Sequence, residues 1–330
     1  MLPSDGGVQH FEGKSLWSER IARKYEKSIL LHEKCGCMPH IAVLTHQHDS
    51  FEKRRYWLTA IVECWREKDI RVSIVNDPRQ RIDADLAFLH VNLTVTPRAY
   101  LAWTRRFPVI INGAVSDISK RAISRHLLRR EDRYDGPVIV KTNRNCAGHP
   151  EAVLAGIERH SSVFRDRLDH LLHKFRRHRH KRRYGSAKAF HDYPVFDSMA
   201  EVPAPVWGDR HLVVERFLPE RINDRYCIRT WLFLGDHERH ALFFSNDPVI
   251  KSHNIIDFER LGEVPDELRQ IRRELKFDYG KFDYTMVDGR PVLFDANRTP
   301  TIGRFPKARY LPLAETLAGG LDSFLQTSPG

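Results

Sequence analysis

Three oxygen-bearing side chains near the end of the chain are spaced for chemistry. In GKFDYTMVDGRPVLFDANRTPT (280–301), Asp283 precedes an Asp288-Gly289 pair, and Asp295 and Asn297 follow it. Asp-Gly between two alternating runs predicts a tight hairpin turn. Residues two apart on a strand point to the same face, so Asp295 and Asn297 project together and Asp283 can join them across the hairpin. Two carboxylates and an amide oxygen make a hard, oxygen-rich set. It suits Mg2+, which takes few protein oxygens and completes its shell with phosphate and water. A solvated or salt-bridged face is the plainer alternative. Phe282, Pro291, Leu293 and Phe294 favour a buried hairpin, and buried acids require charge partners.

The elements that must position this hairpin fall into two groups. His40-IAVLT-His46, RVSIV (71–75), LAFLHV (86–91) and VIIN (109–112) read as short strands. Residues 52–67 put Trp57, Ile61 and Trp65 on one helical face, and Pro97 opens a second helix through Arg106. Strand–helix–strand–strand–helix–strand predicts a small open α/β unit. A helix from Ser116 or Ser119 then leads toward Gly136-Pro137, followed by the β-branched strand VIVKT (138–142). HLVVERFL (211–218), YCIRTWLFL (226–234) and RHALFFS (239–245) read as consecutive strands of one mainly antiparallel sheet, with a helix over 265–276. The fold class expected is α/β joined to α+β.

The hairpin resembles the closing metal-binding hairpin of the ATP-grasp superfamily: an Asp, a strand, a turn, then Glu-x-Asn followed by a small residue and proline. Here Asp295 stands where glutamate is commoner, and Thr299-Pro300 completes the pattern. VIVKT, LVVERFLPE and YCIRTWLFLGD resemble further segments of that family, in its order. The resemblance implies an ATP-grasp fold over roughly 40–320, with ATP and Mg2+ as cofactors and Mn2+ as an alternative metal. It implies Asp283, Asp295 and Asn297 as metal ligands and Lys141 at the nucleotide phosphates. The backbone of Glu215, Arg216, Phe217 and Leu218 would take adenine, and Glu220 the ribose hydroxyls. Arg229 would face phosphate or an acyl-phosphate. Lys251 lies where a loop could close over substrate, and Lys120 matches a lysine that often heads the helix before the nucleotide domain. The loop NRNCAGHPE (143–151) departs from the family in holding only Gly148 where close phosphate approach favours glycines.

The implied organisation is an extension over 1–38, a preceding α/β domain over 39–115, an ATP-grasp domain over 116–320 and a tail over 321–330. Family members most often activate a carboxylate as an acyl-phosphate for attack by an amine, so an ATP-dependent ligase acting on small-molecule or peptide acids and amines is expected. A small-molecule kinase and a nucleotide-binding protein without catalysis are the alternatives.

Of the formal net charge of +11, +7 falls within 157–184, where ten Lys and Arg meet only Glu158, Asp166 and Asp169. This basic helical insertion, densest over 174–183, predicts either a solvated helix or a docking surface for an acidic peptide or nucleic acid. Five cysteines at irregular spacing do not form a disulfide framework. Cys35 and Cys37 near His32, His40, His46 and His48 lack the paired spacing of a structural zinc site, and free thiols fit better. No apolar run approaches membrane-spanning length and residues 1–14 lack a secretory apolar core, so a cytoplasmic protein is expected. Composition says nothing about oligomeric state.

Overall fold

The run IAVL in β1 (His40–Leu44) is wholly buried and forms the centre of a parallel sheet. β2 (Arg71–Val75) pairs on one side of it and β3 (Leu86–Leu89) on the other, with β4 (Val109–Ile111) beyond, in the order β2-β1-β3-β4. This is the α/β unit expected, and the order reverses between β1 and β3. The computed structural model describes residues 39–154, 193–303 and 305–325. The 1–38 extension, Cys35, Cys37 and the basic segment over 157–184 lie outside the described residues.

The helix Trp57–Glu67 buries Trp57, Leu58, Ile61, Val62 and Trp65 against this sheet. The same core takes in Leu232, Leu234 and Tyr279 and, from the C-terminal helix Lys307–Ala318, Ala314, Leu317 and Ala318. Trp65 Nε1 donates to the Ala318 carbonyl at 2.9 Å. A boundary at residue 115 therefore runs through a shared core. Asn112, in the left-handed region at φ 60°, adds a polar joint. Its amide oxygen accepts from Asp278 N and Tyr279 N, its Nδ2 donates to the Tyr279 carbonyl, and its backbone N–H donates to Asp278 Oδ2.

The antiparallel part consists of two sheets, which corrects the expectation of one. β8 (Leu212–Arg216) lies in a four-stranded sheet of order β5-β8-β6-β7, with β5 Leu127–Leu128, β6 Val138–Thr142 and β7 Val195–Phe196. β10 (Arg225–Leu234), β11 (His237–Ser245) and β12 (Asp257–Arg260) belong instead to a six-stranded sheet with β13 (Tyr279–Val287) and β14 (Arg290–Asn297). Pro219 lacks an amide donor and cannot continue the ladder. After it β9 (Glu220–Ile222) turns back onto β10. The helix expected from Ser119 is also shorter, Lys120–Ile123, because Leu127–Leu128 pairs with β8 and buries Leu128 there. The helix Asp266–Leu275 covers one face of the six-stranded sheet, over Trp231, Phe233, Phe282, Tyr284 and Leu293.

β13 and β14 form the hairpin expected. Asp288 and Gly289 both take positive φ, 50° and 76°, which suits the twist of a two-residue hairpin turn.

Candidate active site

A β-bulge builds the site. Asp283 pairs with Asp295, but Tyr284 pairs with Leu293, so Phe294 is the extra residue on β14. Leu293 and Ala296 both pack under the helix Asp266–Leu275. The two residues between them, Phe294 and Asp295, both serve the other face. Re-aiming side chains is what bulges do, and they are frequent beside active sites.

Around Asp295 three lysines converge from three segments. Lys120 Nζ forms an ion pair with Asp295 Oδ1, with only 6% of the lysine side chain exposed. Lys281 Nζ lies 2.7 Å from Asp283 Oδ2. Lys141 Nζ lies 2.7 Å from Glu215 Oε2 and 5.2 Å from the centre of the Phe294 ring, which joins the four-stranded sheet to the hairpin. Asp283 also accepts from Thr230 Oγ1 at 2.8 Å. Burial works to raise the Asp295 pKa, but Lys120, Lys281 and Lys141 together hold it below the usual carboxylate range. Burial likewise opposes the charges on Lys120 and Lys281, and the neighbouring carboxylates, Asp295 and Asp283 respectively, outweigh it and raise both pKa values. Asp295, Lys120 and Lys281 therefore carry their charges at neutral pH.

Asn297 Oδ1 accepts from Thr299 N at 2.9 Å. Among the described residues no group of three or more His, Cys, Asp and Glu can hold a metal ion. A protein-caged ion is thereby a poor fit. Two facing carboxylates that already attract cations do fit an ion of the Mg2+ kind, which binds one or two carboxylates and takes its other ligands from phosphate and water.

The remaining expected residues divide. Along the expected adenine segment, Arg216 N–H and Phe217 N–H already donate to the carbonyls of His126 and Pro137, at 3.0 and 2.9 Å. Leu218 follows them, half-buried. Lys251 Nζ sits 4.9 Å from the centre of the Tyr193 ring, and Tyr193 lies within electrostatic reach of Lys120 and Asp295. Lys251 is thus on the rim of the cluster. Arg229 is not brought to the carboxylates. It stands opposite Tyr284 while its neighbour Thr230 stands opposite Asp283, and successive strand residues face opposite ways. Its guanidinium grips Glu220 instead, Nη2 to Oε1 at 2.7 Å, and Glu220 further accepts from Thr285 Oγ1 and Met286 N. Burial raises the Glu220 pKa, but these donors outweigh it and lower it overall.

Sequence reasoning missed Lys281 and Tyr193. Lys281 was within reach of it, since Lys281-x-Asp283 is the same two-residue spacing that linked Asp295 to Asn297. Tyr193 carried no such signal.

No family model matches the sequence, and no curated protein matches it. Solved structures resemble the fold at low identity. A RimK domain ATP-grasp protein from Sphaerobacter thermophilus is 14% identical over 87% of this chain and 99% of its own, with a TM-score of 0.45. The ATP-grasp ligase PsnB, solved with a minimal precursor, is 11% identical over 86% of this chain and 100% of its own, with a TM-score of 0.46. D-alanine–D-alanine ligase from Bacillus anthracis, solved with ATP, is 15% identical over 88% and 97%, with a TM-score of 0.41. Likenesses of this size carry no argument about activity, which has to rest on the side chains.

Proposed function

We propose that this chain is an ATP- and Mg2+-dependent ligase of the ATP-grasp kind, which activates a carboxylate as an acyl-phosphate for attack by an amine or similar nucleophile. The observation that supports this best is the convergence of Lys120, Lys141 and Lys281 on Asp295, Asp283 and Glu215. Three ammonium groups approaching one point from separate segments suit a ligand with several anionic oxygens, and phosphoryl transfer depends mainly on such positioning and charge stabilisation.

Lys141, Lys120 and Lys281 bind the terminal phosphates, exchanging carboxylate oxygens for phosphate oxygens. Asp283 and Asp295 would hold Mg2+, with Asn297 beside them; the metal's contribution is to neutralise charge developing on the phosphates. Adenine lies along Glu215–Leu218, recognised by groups of that segment other than the amides of Arg216 and Phe217. Glu220, gripped by Arg229, braces β9 rather than reaching for ribose. In the reaction a substrate carboxylate oxygen attacks the terminal phosphorus, the bond to ADP breaks, and ADP leaves. The amine nitrogen then attacks the acyl carbon, loses a proton, and phosphate departs. Lys251 at the rim would meet an incoming acid.

The test is product analysis with ATP, Mg2+ and panels of acids and amines. ADP release that requires both acid and amine, with an amide of the summed mass less water, supports the ligase. A phosphorylated alcohol would replace it by a kinase. Nucleotide binding without any turnover would leave a binding protein.

A further inference from the structure

The residues that follow Asp295 alternate in destination. Asn297 faces the carboxylate site. Arg298, 0% exposed, points the other way, and its hydrogen bonds all go to backbone carbonyls: Val115 at 2.6 Å, Val91 at 3.3 Å, Thr94 at 3.5 Å and Leu93. Four of the five guanidinium donors could not be matched so by any other side chain. A buried cation without a carboxylate in contact is costly, and it persists where the surroundings gain from it. Here it fastens β14's exit to the end of β3 and the turn after β4.

Thr299 is held from the other side. The Tyr56 hydroxyl donates to the buried Asp49 carboxylate at 3.0 Å. It therefore accepts from Asn92 Nδ2 at 2.9 Å, which turns the Asn92 oxygen to receive the Thr299 hydroxyl at 3.0 Å. Burial raises the Tyr56 pKa, so the phenol keeps its proton and the direction of the chain is fixed. The Thr299 hydroxyl lies 3.0 Å from Asn92 Oδ1 and 3.4 Å from Asn297 Oδ1, and the Thr299 N–H, an obligate donor, meets that same Asn297 oxygen at 2.9 Å. That contact decides which end of the Asn297 amide faces the site. Pro300 O accepts from Trp57 N, and Ile302 N donates to Arg55 O, which closes the strap.

We infer that Arg298 and Thr299 are positioning residues, which anchor the strap after β14 to the carboxyl end of the parallel sheet and thereby fix the orientation of the Asn297 amide. The effect on nucleotide binding rests on the proposed function; the orientation of the amide does not.

The two are separated by measuring both. In protein labelled with 15N-asparagine, the Asn297 side-chain amide signals are identified by their loss in Asn297→Ala. Arg298→Lys keeps the charge but not the planar fork, and Thr299→Val keeps the shape but not the hydroxyl. Both are expected to shift and broaden the Asn297 signals, whereas Thr299→Ser leaves them at the wild-type position. An unchanged Asn297 signal in either variant, folded by circular dichroism, overturns the inference; Thr299→Val serves alone should Arg298→Lys not fold. Second, the Kd for ATP with Mg2+ is expected to weaken about tenfold in both variants, the usual scale for residues that support a metal site from outside its ligands. A wild type that does not bind ATP would defeat the proposed function and leave the amide result standing. Wild-type affinity in a variant whose Asn297 signal has moved would overturn the role of positioning in binding.

Discussion

Asp283 and Asp295 stand directly opposite each other on β13 and β14, and each has a lysine of its own. Like charges in that position destabilise a sheet. The lysines remove the conflict, and they also mark the carboxylates as groups that any incoming cation must win from Lys120 and Lys281.

Asp295→Asn tests this arrangement. Loss of the anion should weaken Mg2+-dependent ATP binding by about tenfold or more. Lys120, almost fully buried, loses its charge partner. Unfolding should therefore become easier by about 1–3 kcal/mol, the scale of a lost charged hydrogen bond. Calorimetric titration and denaturant unfolding read the two effects separately. Unchanged affinity would remove Asp295 from the metal site.

Lys141 and Glu215 form the most buried pair of the cluster, with side chains 11% and 3% exposed. Lys141→Met leaves a buried carboxylate unpaired and should cost about 3–5 kcal/mol of stability. Adding Glu215→Gln should recover most of that loss without restoring ATP affinity. A double variant as unstable as the single one would show that the pair is not the source of the effect.

Deleting Phe294 removes the bulge. Regular alternation between Leu293 and Ala296 would then keep Asp295 on the site's face but without the local bend that the bulge gives β14, and ATP binding should fall well below that of Phe294→Leu while the hairpin still forms. Phe294→Leu keeps the extra residue and loses only the ring's contact with the buried Lys141 ammonium, worth about 2 kcal/mol, so ATP binding should survive it. Equal binding by the deletion and by Phe294→Leu would separate the bulge from the site.

His90 gives a pH signature. Burial between the Phe51 and Tyr56 rings lowers its pKa to about 3. An unfolded histidine titrates near its ordinary value of 6.5. Above that pH both states are neutral and the full stability is present. As pH falls below it, the unfolded state takes up a proton that the folded state refuses until about pH 3. Stability should thus decline by about 1.4 kcal/mol per pH unit through this window. The slope of unfolding free energy against pH in wild type, minus that in His90→Phe, isolates the histidine. Parallel slopes would mean that His90 is protonated in the fold.

Local pattern carried the hairpin, the parallel strands and the oxygen-bearing residues, because two-residue alternation and the Asp-Gly turn act over a few positions. The face on which Arg229 lies depends on which residue of β13 stands opposite, and that register is set across more than fifty residues. The partition of LVVER and YCIRTWLFL into different sheets was invisible for the same reason: both are apolar runs, and only their neighbours differ. The bulge at Phe294 leaves no mark in composition at all. Lys281 did leave one, two residues before Asp283.

The shared core has a consequence for how the chain is made. The parallel sheet is complete once Ile111 exists, yet its helix Trp57–Glu67 is capped by residues up to Leu321. Roughly 200 further residues must be synthesised first, about 10–40 s at ribosomal rates of about 5–20 residues per second. Throughout that interval Trp57, Ile61 and Trp65 wait for their partners. The nascent chain is therefore a natural client for a chaperone that binds apolar segments, and a ribosome stalled after Asn112 should display a helix that sticks to whatever passes.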